Sequence, residues 1–99
     1  MIERPVDRYI LTLRQHLPEL AEKYHVRSLE VFGSYVRNEQ TAESDLDVLV
    51  TFDKTPGLLK FIGLEYHLSD LLGVKVDLVT KDSLKPRIGQ RILSEAVPV

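Results

Sequence analysis

Two aspartates, Asp45 and Asp47, stand in the otherwise apolar stretch DLDVLVTF, and a third, Asp77, stands in VKVDLVT. Side chains alternate across a strand, so Asp45 and Asp47 share one face with Leu49 and Thr51. Leu46, Val48, Val50 and Phe52 turn the other way, toward a core. The two carboxylates then lie about 6.7 Å apart along the strand. At an effective dielectric near 20 their repulsion is on the order of 2.5 kcal/mol. A divalent cation between them reverses the sign. Magnesium favours carboxylate and phosphate oxygens, and two such ions about 3.5–4 Å apart can clamp the attacking and leaving oxygens of a phosphoryl displacement. The third strand repeats the pattern: Lys75, Asp77 and Val79 on one face, Val74, Val76 and Leu78 on the other.

Gly33-Ser34 closes the preceding apolar segment, VRSLEVF. A glycine there lets the backbone approach a ligand closely. If Ser34 begins a helix, its unpaired N–H groups and partial positive charge make a phosphate site, to which the hydroxyl adds a donor. The same geometry serves a plain helix cap. The order strand, Gly-Ser, helix start and then Asp-x-Asp on the next strand would set a triphosphate beside metal. Arg37 could contact a phosphate or pair with Asp45 or Glu43.

The elements that must hold these residues follow from periodicity. Val6, Ile10, Leu13, Leu17, Leu20 and Tyr24 recur at spacings of three and four, one face of an amphipathic helix. Pro18 predicts a kink or a division into two helices near Leu17. A strand from Val26 to Gly33 buries Leu29 and Val31, and residues 34–44 read as a short helix and a loop. After the second strand, Thr55 and Pro56 predict the start of a helix reaching Leu72, with Leu58, Phe61, Ile62, Leu68 and Leu72 inward and Gly73 as its stop. A third strand precedes a last helix opened by Asp82 or Ser83 and running through Leu84, Ile88, Ile92 and Leu93. The apolar tail AVPV could extend a docking surface. Helices alternating with strands make the fold α/β (α+β): a small mixed sheet of about three strands, flanked by helices mainly on one side.

Ninety-nine residues suit a single domain, residues 1–99. A net charge of −2 makes direct binding to nucleic acid an unpromising reading. With no cysteine there is no disulfide framework or thiolate chemistry. The charged start of the chain does not resemble a signal peptide and no apolar run is long enough to span a membrane, so a cytoplasmic protein is expected. His16, His25 and His67 have no metal-ligand spacing, and there is neither a Walker A pattern nor a G-x-G-x-x-G. Lys81, Lys85, Arg87 and Arg91 gather near the last helix, where a solvated face is the default.

Gly-Ser, ten residues, then Asp-Leu-Asp, with Arg37 three after the serine, resembles the DNA polymerase β-type nucleotidyltransferase superfamily. The likeness is greatest to its minimal nucleotidyltransferase (MNT) branch, the antitoxins paired with HEPN-domain toxins. It extends to the leading helix, FGSYVR, SDLDVLV, VDLVT and RILSEAVPV. The resemblance implies Asp45, Asp47 and Asp77 as catalytic residues and metal ligands, with Asp77 as ligand, general base or both. It implies Gly33, Ser34 and Arg37 at the nucleotide, two Mg²⁺ ions, and ATP as donor. The implied acceptor is a hydroxyl, in particular a tyrosine, of a partner HEPN RNase toxin. A non-catalytic antitoxin acting by occlusion and a small-molecule nucleotidyltransferase are the alternatives. The family commonly carries Gly after the arginine; here it is Asn38, a residue that tolerates a left-handed backbone.

Overall fold

The computed structural model describes residues 4–84 and 86–99. Its described elements are α1 (Pro5–Tyr24), β1 (Val26–Phe32), β2 (Leu46–Phe52), α2 (Leu58–Leu72), β3 (Val76–Thr80), a 3₁₀ turn (Lys81–Ser83), α3 (Pro86–Glu95) and β4 (Val97–Pro98). The strands form one mixed sheet in the order β3-β2-β1-β4. β1 runs antiparallel to β2 and β4, and β2 runs parallel to β3 through the α2 crossover.

The core lies where α1 and α2 cover one face of the sheet. Val6, Leu13 and Leu20 of α1 meet Leu29 and Val31 of β1, Leu46, Val48 and Val50 of β2, and Leu64 and Leu68 of α2. The period-two burial of Leu46, Val48 and Val50 is as the sequence reading has it. Leu49, assigned to the aspartate face, is also buried, at 1% exposure.

Several expectations are corrected. α1 is a single helix through Pro18. Proline leaves the Arg14 carbonyl without its helical donor, but Arg14 and Pro18 are both exposed and water can take that role. Residues 34–38 form successive turns rather than a helix. α2 starts at Leu58 with Gly57 as its cap, and Thr55 makes no cap. Its inner line is Phe61, Leu64, Leu68 and Leu72, while Leu58 and Ile62 are 73% and 38% exposed. Ile62 is about 100° around the helix from Phe61 and so leaves that line. α3 starts at Pro86 instead of Asp82 or Ser83, and Leu93 is exposed. The tail pairs with β1 as a fourth strand, Val97 opposite Val31 and Pro98 opposite Glu30. Lys85, and the side chain of Ile88, lie outside the described residues.

The edge strand β3 is held from α2. The Leu78 N–H donates to Glu65 Oε2 at 2.8 Å and the Val76 N–H to Ser69 Oγ at 3.0 Å. Helix side chains thus satisfy outward donors that an edge leaves unpaired.

Candidate active site

Asp47 is the second residue of β2, opposite Phe32 on one side and Asp77 on the other. Neighbouring strands are about 4.8 Å apart, so the parallel register of Asp47 and Asp77 sets two carboxylates side by side. Asp45 stands just before β2 and is partly buried, with Lys75 Nζ 3.9 Å from its Oδ2. Asp77 is exposed and Asp47 half-buried. Burial pushes the Asp47 carboxyl up to about 6, helped by Asp77 and then Asp45, against a smaller opposing pull from Arg37.

Gly33 explains how Asp47 fits. Its backbone is left-handed at φ +84, and a Cβ there would fall on Asp47 Oδ2 and stand 3.0 Å from Cγ. Only glycine allows both the conformation and the approach. The chain then turns: the N–H groups of Val36 and Arg37 donate to the Gly33 carbonyl, and that of Glu39 to the Ser34 carbonyl. Asn38 completes the turn at φ +58, the left-handed backbone expected for it. Among the described residues the Ser34 and Tyr35 N–H groups and the Ser34 hydroxyl have no protein acceptor. They are open donors beside the aspartates, although no helix stands behind them.

The Gly33 N–H is not open. It donates to Glu95 Oε2 at 3.0 Å, and Arg37 Nη1 donates to Glu95 Oε1 at 2.6 Å. Arg37 also reaches Glu39 at 3.2 Å, so its carboxylate partners are Glu95 and Glu39, not Asp45 or Glu43. Burial raises the Glu95 carboxyl, but the bonds from Arg37 and the Gly33 N–H outweigh it and hold the net value below the usual glutamate range. Glu95 went unrecognised in the sequence because nothing in its spacing joins it to a turn 62 residues earlier.

An open cleft of about 570 Å³ is lined by Gly33, Arg37, Asp47, Arg91, Ile92 and Glu95, with Phe32 and Glu39. That volume falls within the range of small-ligand sites. α3 forms its far wall, across from the face that α1 and α2 cover. Among the described residues no three His, Cys, Asp or Glu side chains are gathered tightly enough to hold a metal ion as they stand. The donor set nevertheless suits a hard cation: all oxygen, with one carboxylate made reluctant to ionise by burial and then by its acidic neighbours.

The family model for the nucleotidyltransferase domain matches residues 13–99, which include all of these residues. The chain belongs to that family. This nucleotidyltransferase is 53% identical over 87 residues to the protein adenylyltransferase MntA of Thermococcus cleftensis, covering 88% of each chain. It has the fold of a solved structure reported as a minimal nucleotidyltransferase, with a TM-score of 0.74, 38% identity, and 91% of this chain and 95% of that one covered. A toxin-antitoxin structure with AMP-PNP is similar at a TM-score of 0.67 and 25% identity, over 93% of this nucleotidyltransferase and 69% of that chain. No described helix of this nucleotidyltransferase is long and apolar enough to cross a membrane.

Proposed function

We propose that this chain transfers AMP from ATP to a hydroxyl, in particular a tyrosine, of a partner HEPN RNase toxin and silences it, in a reaction that requires Mg²⁺. The observation that carries the reading is the pairing of Asp47 with Asp77 across β2 and β3, beside a turn whose Ser34 and Tyr35 donors are open. Relatives named protein adenylyltransferase and a similar toxin-antitoxin structure with AMP-PNP support it.

Asp45, Asp47 and Asp77 would hold the magnesium. When bound, the metal supplies positive charge that binds the triphosphate and offsets the charge developing on the leaving pyrophosphate. Ser34 binds phosphate oxygen through its N–H and hydroxyl. Asp77, exposed at the strand start, accepts the proton of the acceptor hydroxyl. The hydroxyl oxygen forms its bond to the α-phosphorus as the bond from that phosphorus to the bridging oxygen breaks, and pyrophosphate leaves. The site is open, so the acceptor brings its own surface, as a docked protein does.

Calorimetric titration tests the nucleotide half of this reading. ATP binding should require Mg²⁺ or Mn²⁺ and be lost in Asp45→Asn and Asp47→Asn. Equal affinity in chelator would refute the metal-dependent site.

A further inference from the structure

Glu95 does something no other cleft residue does: one carboxylate holds both ends of the phosphate turn. Oε2 takes the Gly33 N–H at 3.0 Å and Oε1 takes Arg37 Nη1 at 2.6 Å. The turn is closed between the same two residues, by the Arg37 N–H on the Gly33 carbonyl at 3.2 Å. β4 explains why a side chain is needed. Its pairing with β1 ends at Val31 opposite Val97, two residues short of Gly33. Glu95, two residues before Val97, supplies the acceptor at the place where the ladder stops. The side chain is 23% exposed against 47% for Arg37, so the carboxylate is the better shielded member of the pair. Gly33 is the residue packed on the Asp47 carboxylate. A shift of its backbone would therefore carry the open Ser34 and Tyr35 donors away from that carboxylate.

We propose that Glu95 is a positioning residue for nucleotide binding: through its bonds to Gly33 and Arg37 it sets the turn in the conformation that receives the triphosphate. The inference rests on the nucleotidyltransferase reading above. Glu95 touches no reacting atom. Its effect passes through the turn, and so belongs in nucleotide affinity and not in metal affinity.

Three variants separate the two bonds. Glu95→Ala removes both. Glu95→Gln keeps a carbonyl acceptor for the Gly33 N–H while losing the charge that attracts Arg37. Arg37→Ala leaves Glu95 free to hold Gly33. In the full chain with Mg²⁺, Glu95→Ala should bind the non-hydrolysable analogue AMP-PNP about tenfold more weakly, since the two lost bonds act on the nucleotide only through the turn. Glu95→Gln should recover part of that loss. Mn²⁺ affinity without nucleotide should match wild type in every variant, because the aspartates are untouched. In nucleotide-free protein, amide hydrogen exchange should accelerate at residues 33–37 in Glu95→Ala and less so in Glu95→Gln.

Folded Glu95→Ala protein with wild-type AMP-PNP affinity, or tighter binding, would overturn the proposal. So would unchanged exchange at residues 33–37, or a parallel fall in Mn²⁺ affinity. If Glu95→Ala does not fold, the same readings on Glu95→Gln and Arg37→Ala decide. A wild type that binds no AMP-PNP in Mg²⁺ would overturn the nucleotidyltransferase reading and the nucleotide role of Glu95 together. Weak binding confined to the Glu95 variants would not touch that reading.

Discussion

Asp47 is costly to the ligand-free fold because it is ionised where it is partly buried and faces Asp77 and Asp45. Its carboxyl, pushed up to about 6 from an ordinary 3.8, binds its proton more tightly in the folded chain than in the unfolded one. The stability this contributes is present below about pH 4 and is lost as pH rises through 6. Asp47→Asn removes the ionised group, so in chelator at pH 7.5 it should melt a few degrees above wild type, a shift equivalent to about 1 kcal/mol. The gap should close on acidification toward pH 4, and saturating Mg²⁺ should raise the wild-type melting temperature more than that of the variant. Thermal melts across pH check both outcomes. Parity turned Asp47 and Asp77 each away from the core, but their pairing depends on the parallel register of β2 and β3, which parity does not report. The role of Gly33 was only half legible. A turn was visible, but its contact with Asp47 depends on β1 and β2 being antiparallel in one particular register.

At the scale of elements, periodicity located the helices and strands well and their ends poorly. The α1 pattern outweighed its proline because the position is exposed, a fact that periodicity does not report. Pro18→Ala restores the donor for the Arg14 carbonyl and should stabilise the chain by about 1–3 kcal/mol, read by denaturant unfolding. No gain would mean that α1 already relieves the defect by bending. The α2 face was misjudged by including Leu58 and Ile62, because an apolar residue does not itself say which way it turns. The tail AVPV was illegible as a strand. Two residues carry almost no period-two signal, and only the exposed edge of β1 makes them pair. The same edge makes Glu95 useful, which is why that residue emerged only once the strands were in place.

In the whole molecule, a two-helix layer on one side of the sheet supplies stability, and the α3 side carries the cleft. The aspartates on β2 and β3, the turn after β1, and Arg91 and Glu95 on α3 come from separate parts of the chain to one end of the sheet. This division leaves the cleft open to a partner's surface, which suits modification of a protein. Co-expression with the proposed partner, a HEPN-domain toxin, followed by intact mass spectrometry of the toxin, tests the central claim most directly. The account predicts toxin carrying one or more added AMP masses with the wild-type chain, and none with Asp45→Asn/Asp47→Asn. A toxin that stays unmodified yet is neutralised equally well by wild type and the double variant would contradict it.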